Sequence, residues 1–365
     1  MKDYYLRRAE ENLPPLNEEI MYTTIYKMIE EAMPLIATHG RVKLGTGGEL
    51  RLPWSASGFT LTFKGEAIAI ELMPYVTTVL PMADADQLYA AVRLEVDGAP
   101  SYSIIAGEGC AVFANGLSDG VHTLRLTKET ETDEPLRVTG IRIYGDEPEL
   151  LPTEKAAPTF KMEVIGDSIT CGYGIWGTDP RFIPYQESAS SAYAYLAAEG
   201  LLAEARIISW SGRGIVKSYS GATDNRFIDF FRQCERRVSE GMHDFSLWQP
   251  DVVVINGGTN DASSGQVTEE DLKAGARELY TFLRSVYPSA VILFFYGAMG
   301  SVYDGAYRSL IEELAPTDSR VHYKRVEEIC ADKGEVGALG HPSAKGQRRI
   351  ADELISKLKR LGFGR

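Results

Sequence analysis

The sequence predicts an antiparallel β-sandwich followed by an α/β domain built on a parallel sheet. Three observations carry that reading. From about Gly40 to Gly145 apolar and polar residues alternate with the period of a strand. From Asp146 to Thr159 a stretch with prolines and acidic residues has little to bury. From Phe160 onward the rhythm becomes strand, loop, helix. A length of 365 residues suits two domains, because single cores rarely grow past about 250–300 residues.

Taken in order, Glu18 to Met33 is predicted helical, which makes residues 1–39 a helical leader. Residues 40–148 form the sandwich. Phe59, Leu61 and Phe63 alternate with Thr60 and Thr62, and Ile68, Ile70 and Leu72 repeat the pattern. Val92 to Val96 ends in Asp97-Gly98, and Leu124-Arg125-Leu126 follows Asp119-Gly120, so turn signals separate short strands. Residues 160–365 form the second domain. Met162 to Ile165 is a short strand, Ser190 to Leu202 an Ala-rich helix and Arg206 to Trp210 a second strand. Asp251 to Asn256 is β-branched enough to be buried on both faces of a parallel sheet. A helix over Glu269 to Val286 leads to the strand Ala290 to Tyr296, and a helix over Ser343 to Leu361 closes the chain. In such a sheet ligands bind at the carboxyl ends of the strands.

Composition narrows the function classes. The formal net charge is −13 with no long basic block, which disfavours nucleic acid and anionic membrane surfaces as partners. No run of about eighteen apolar residues is present, so no membrane span is expected. The first residues lack the apolar stretch of a signal peptide, and the expectation is a cytoplasmic protein. The four cysteines, Cys110, Cys171, Cys234 and Cys330, lie far apart, without C-x-x-C or zinc-ligand spacing. Free thiols in a reducing compartment are expected, with no metal and no cofactor.

Each apolar strand of the second domain ends in small or polar residues. Gly166-Asp167-Ser168 follows the first strand, and a serine there stands where free backbone N–H groups favour developing negative charge. Taken alone, Ser168 reads at least as well as an N-cap. The second strand ends at Trp210-Ser211-Gly212-Arg213-Gly214, where glycine allows close backbone approach or simply a turn. The third ends at Gly257-Gly258-Thr259-Asn260-Asp261, with a side-chain amide donor at Asn260. His341-Pro342 precedes the last helix, Pro342 suiting its first turn.

Together, and in this order, these blocks resemble those of the SGNH (GDSL-like) hydrolase superfamily. The resemblance covers about Phe160 to Gly362 and implies a flavodoxin-like hydrolase domain. It implies Ser168 as nucleophile, His341 as its base, and an oxyanion hole from the Ser168 N–H, the Gly214 N–H and the Asn260 amide. The G-x-S-x-G elbow of the α/β-hydrolases is absent. One departure is that the superfamily's Asp-x-x-His becomes Ala338-Leu339-Gly340-His341, so the acid that orients the histidine is missing. A backbone carbonyl, Glu335 or Asp332 is expected in its place. With the sandwich, jelly-roll-like, and its Gly40 to Ser55 opening, the layout is similar to carbohydrate esterase family 2. That likeness implies removal of O-acetyl groups from xylan, glucomannan or related sugars, with an acetylated mono- or oligosaccharide as partner.

For sugar contacts the aromatic residues near the blocks are candidates: Tyr173, Trp176, Tyr185 and Trp210, each also readable as core. Asp167 is a further candidate, though bracing the turn suits it better. Two other readings stay open: a lysophospholipase- or thioesterase-type hydrolase, and a carbohydrate-binding protein with a degenerate hydrolase half. The sandwich adds surface on which a homo-oligomer could form.

Overall fold

The computed structural model describes residues 23–73, 90–105, 111–132, 134–155, 157–177, 183, 186–236 and 242–364. The chain divides into two compact units, Met1–Ala156 and Ala157–Arg365.

The first unit holds two antiparallel sheets. One runs β3 (Lys43–Leu44), β4 (Leu50–Leu52), β11 (Leu136–Gly145), β6 (Ala67–Leu72), β9 (Ala111–Ala114), with β1 (Thr23–Met28) also on β11. The other runs β12 (Glu149–Leu151), β5 (Gly58–Lys64), β10 (Val121–Lys128), β7 (Ala90–Val96), β8 (Ala99–Ile105), with β2 (Ala37–His39) on β5. The alternation read from sequence is the one that packs. Phe59, Leu61, Phe63, Ile68, Ile70, Leu124 and Leu126 share one buried core. Asp97 and Gly98 both take positive φ, 50° and 81°, the two-residue turn whose twist matches its flanking strands β7 and β8.

Two expectations are corrected here. Where a helix was expected, Thr23–Met28 is a strand in register with Gly145 to Gly140 of β11; Ile29–Ala32 (α1) is helical and Met33–Leu35 continues it as a 3-10 turn. Thr-Thr-Ile-Tyr is a β-forming run, and the free edge of β11 supplies hydrogen-bond partners that outweigh a weak helical period. Residues 18–22 of that expected helix lie outside the described residues. The expected linker is also partly ordered: Glu149–Leu151 pairs with β5, and Leu150 buries its side chain.

The second unit is a five-stranded parallel sheet: β14 (Glu204–Ser209), β13 (Lys161–Gly166), β15 (Val252–Asn256), β16 (Val291–Tyr296), β17 (Val321–Arg325). In chain order that is 2-1-3-4-5, the flavodoxin-like winding, which reverses direction between β13 and β15. Val252 to Ile255 are wholly buried, each contributing about 1.5–3 kcal/mol, which is why this strand carries no polar side. Helices α2 (Ser168–Cys171), α3 (Tyr193–Leu201), α4 (Phe227–Phe231), α5 (Thr259–Ser264), α6 (Glu269–Val286), α7 (Asp304–Leu314) and α8 (Ala344–Arg360) follow in order. α3 packs on α8, and α6 on α7. α6 opens with a capping box, in which Thr268 and Asp271 satisfy each other's backbone N–H groups. The polar edge strand β17 (Val-His-Tyr-Lys-Arg) and α7 escaped the sequence reading, because an edge strand needs no continuous apolar run.

Candidate active site

The winding reverses between β13 and β15, and the loops after these two strands carry the serine and the asparagine. β13 ends at Gly166, where a Cβ would fall 2.6 Å from Thr170 Cβ, so only glycine lets α2 begin this close to the strand. Asp167 caps α2, accepting from the Ile169 N–H at 3.0 Å. Ser168 is therefore the first residue of the helix. α2 is held from behind by Gln347 of α8, wholly buried, whose amide donates to the Ile169 carbonyl at 2.9 Å and accepts from the Tyr193 N–H at 2.9 Å.

His341 comes from the other end of the domain. Its Nε2 lies 2.9 Å from Ser168 Oγ, and its Nδ1 lies 3.2 Å from the Leu339 carbonyl oxygen. A carbonyl only accepts, so Nδ1 carries the proton and Nε2 is left to accept from the serine hydroxyl. This is the tautomer a serine's general base needs. Burial lowers the pKa of His341 below the ordinary imidazole value, opposed by hydrogen bonding to the Leu339 and Ala338 carbonyls.

The carbonyl is aimed by an uncommon backbone. Leu339 is left-handed (φ 49°, ψ 33°), which costs a non-glycine residue about 1–2 kcal/mol. The surrounding loop imposes it. Val336 bridges Pro342, Gly337 N–H donates to the His341 carbonyl at 2.6 Å, and Ser343 N–H to the Glu335 carbonyl at 2.8 Å. Ala338 N–H donates to Gly174 O at 3.1 Å, tying this loop to the segment after α2. Pro342 thus belongs to the loop and not to the first turn of α8, which Ser343 caps. Glu335 is turned away, its carboxylate on the Cys330 N–H (3.0 Å) and Arg349 (3.2 Å). Of the three expected supports, the carbonyl is the one in contact with the histidine.

The Asn260 amide, on α5, donates to Arg213 O at 2.9 Å and to Asp167 Oδ2 at 3.2 Å, joining the loops after β13, β14 and β15. That geometry argues against Gly214 as the glycine of the oxyanion hole. The Arg213–Gly214 peptide is trans, so the Gly214 N–H points opposite to the carbonyl that Asn260 holds, and the two donors diverge. Gly212 fits better. It has φ +76° in a turn closed by Arg213 N–H on Trp210 O, the type II position that turns its own N–H outward.

The remaining candidates separate by burial. Asp167, Tyr173 and Trp210 are each no more than 5% exposed and are held by neighbours within the domain. Asp167 braces α2 and Asn260. Tyr173 lays its ring edge-on to His341, 4.8 Å between centroids, and its hydroxyl accepts from Gln186. Trp210 is packed by the guanidinium groups of Arg213 and Arg236 and the ring of Phe230. Trp176 stays partly exposed, at 39%. Tyr185 and Cys110 lie outside the described residues. The sequence reading missed Tyr219, which is 65% exposed and packs where a Gly212 side chain would stand, Cδ1 at 2.9 Å from a hypothetical Cβ. Only the return of its loop, with Tyr219 N–H on Gly212 O at 3.0 Å, places it there. Among the described residues no group of three or more His, Cys, Asp or Glu could hold a metal, and no helix is long and apolar enough to cross a membrane.

A flavodoxin-like sheet with a serine after its first strand, an asparagine after its third, and a histidine from the loop before the last helix meeting that serine defines the GDSL-like class of acyl hydrolases. The chain belongs to the GDSL-like Lipase/Acylhydrolase family, whose profile matches residues 164–349. More narrowly, residues 38–153 match the Carbohydrate esterase 2 N-terminal domain, and together the two units have the layout of family 2 carbohydrate esterases. The cellulase/esterase CelE of Acetivibrio thermocellus is 29% identical over 347 residues, covering 92% of this chain and 40% of that protein. An acetylxylan esterase/glucomannan deacetylase of Cellvibrio japonicus is 28% identical over 218 residues, 56% of this chain and 58% of that one. The chain thus spans about half the length of these curated relatives or less. A family two carbohydrate esterase from Clostridium thermocellum, solved in complex with cellohexaose, superposes with a TM-score of 0.80 at 28% identity, covering 90% of this chain and 99% of the other.

Proposed function

We propose that the protein is a serine esterase that removes O-acetyl groups from sugars or short oligosaccharides. The observation that carries this is the 2.9 Å contact between Ser168 Oγ and His341 Nε2, with Nδ1 on a carbonyl. In the first half-reaction Ser168 Oγ attacks the acetyl carbonyl while His341 Nε2 takes the hydroxyl proton and then delivers it to the departing sugar oxygen. Water, deprotonated by the same nitrogen, releases acetate and restores the serine. The oxyanion is received by the Ser168 and Gly212 N–H groups and by the Asn260 amide, whose 3.2 Å contact to Asp167 yields to the stronger acceptor. A neutral carbonyl behind His341 stabilises the imidazolium less than a carboxylate does, because hydrogen bonds to ionised acceptors are about twice as strong.

The acetyl-sugar substrate is supported by the names of the relatives, an acetylxylan esterase/glucomannan deacetylase and a cellulase/esterase. Tyr219 and Trp176, exposed in the same domain, are the aromatic faces we assign to the sugar. A cytoplasmic enzyme acting on imported acetylated fragments is part of the proposal and is tested by cell fractionation. The deciding experiment measures acetate release from acetylated xylan, glucomannan and xylose or mannose acetates by wild type and Ser168→Ala. Release that disappears in the variant is expected. No release by a folded wild type that still binds the sugar would sink the esterase and favour a binding protein. A chain-length series of nitrophenyl esters separates acetyl specificity, with a steep fall beyond acetate, from lipid or thioester hydrolysis.

A further inference from the structure

Asp261, the residue after Asn260, is wholly buried. Its carboxylate accepts from three successive backbone N–H groups: Ile215 to Oδ2 at 2.9 Å, Val216 to Oδ1 at 2.7 Å and Lys217 to Oδ1 at 2.9 Å. Successive amides converging on one anion make a nest that locks the local backbone. At Gly214 any side chain would strike Lys217 O and would lie 2.6 Å from Asp261 Oδ2, so the carboxylate is seated directly against the chain. Asn260 grips the same segment one step earlier, at Arg213 O. The dipeptide Asn260-Asp261 therefore holds residues 213–217 from both ends, immediately after the turn that carries Gly212.

We infer that Asp261 is a positioning residue of the oxyanion hole: it clamps residues 215–217 and thereby fixes the outward direction of the Gly212 N–H. This rests on the esterase reading above. The same clamp anchors the start of the loop that returns to place Tyr219 over Gly212. A buried carboxylate satisfied by three donors is the only side-chain type of this size that accepts at both oxygens. An asparagine presents one acceptor and an NH₂ group, so at least one of the three amides meets a donor and must swing away.

The test compares Asp261→Asn with wild type on 4-nitrophenyl acetate and on the matching thionoester, in which C=S replaces C=O. Sulfur is a poor hydrogen-bond acceptor, so a thionoester draws little from oxyanion donors while using the same serine, histidine and leaving group. Misaimed donors should lower kcat/KM on the oxoester by about 10²-fold, mainly through kcat, and on the thionoester by about tenfold or less. Partial unfolding lowers both equally. An unchanged oxo-to-thiono ratio in a folded variant overturns the inference. Amide hydrogen exchange reads the clamp without substrate: Ile215, Val216 and Lys217 should be protected in wild type and exchange faster in the variant. Unprotected amides in wild type overturn it too. Should Asp261→Asn fail to fold, Asp261→Glu keeps the charge but moves it by one methylene and is read by the same two measurements. A wild type with no Ser168-dependent turnover counts against the esterase, while amide exchange still decides the clamp.

Discussion

Gly174→Ala should disable the enzyme without touching any reacting atom. Gly174 has φ +83°, and a Cβ built on it lies 2.6 Å from His341 Cβ and 2.9 Å from Ala338 O. Ordinary contact begins at 3.4 Å, so the His341 backbone would have to retreat by about 0.8 Å, the difference between 3.4 and 2.6 Å. The loop has little freedom to absorb this elsewhere, since Ala338 N–H is bonded to Gly174 O itself and Leu339 is already in a strained conformation. Carried through to the ring, the shift stretches the 2.9 Å Nε2–Oγ contact to about 3.7 Å, beyond hydrogen-bond reach. Misplacement near 1 Å costs about 10²-fold in rate, and the left-handed alanine costs a further 1–2 kcal/mol or so of stability. The assay is steady-state kinetics on 4-nitrophenyl acetate beside thermal unfolding. kcat should fall by about two orders of magnitude with KM little changed. A variant that folds and keeps the wild-type kcat would refute the claim that this segment sets the histidine.

Three further outcomes are expected. Glu335→Gln and Asp332→Asn should keep kcat close to wild type, because the Leu339 carbonyl, and not a carboxylate, meets Nδ1. In both, as in wild type, activity should fall with acid only below the ordinary imidazole range, since burial lowers the His341 pKa and catalysis needs the neutral ring. Tyr219→Ala should raise KM for acetylated oligosaccharides by about two- to tenfold, the worth of one aromatic contact, and leave 4-nitrophenyl acetate unaffected. In the sandwich, His122 Nδ1 faces Asp97 Oδ2 at 2.6 Å and Nε2 faces the Ser118 carbonyl at 2.8 Å, two acceptors that require the doubly protonated ring. Burial opposes that charge, but the bonds to Asp97 and Ser118 raise the His122 pKa, while the His122 hydrogen bond lowers that of Asp97. A raised histidine pKa stabilises fully below the ordinary value, and the gain is lost as pH rises through the folded value. Thermal midpoints should therefore fall between mildly acidic and alkaline pH in wild type, and this component should be absent in His122→Gln. Parallel pH curves for the two proteins would show that the pair contributes nothing.

Much of the molecule can be read from the chain because short-range physics determines it. The sandwich strands follow from the alternation at Phe59-Leu61-Phe63 and Ile68-Ile70-Leu72, each of which has one dry face. The buried strand Val252–Asn256 follows from four β-branched residues, and the helix over Glu269–Val286 from its period and cap. The serine, asparagine and histidine stand out because glycine and polar residues at strand ends conflict with local packing, and such conflicts collect at functional sites. What the chain alone leaves open depends on partners distant in sequence. Thr23–Met28 becomes a strand only because β11 offers an unpaired edge. Which way the N–H groups of Gly212 and Gly214 face depends on the turn they sit in and on a hydrogen bond from Asn260, 47 residues away from Arg213. The support for His341 is a main-chain carbonyl, and every residue has one, so no residue type announces it. Its direction is set by the φ of Leu339, and that angle is held by the loop closing between Val336 and Pro342 and by Gly174. Periodicity and residue chemistry are local properties, whereas the aim of a backbone dipole belongs to the packed tertiary structure.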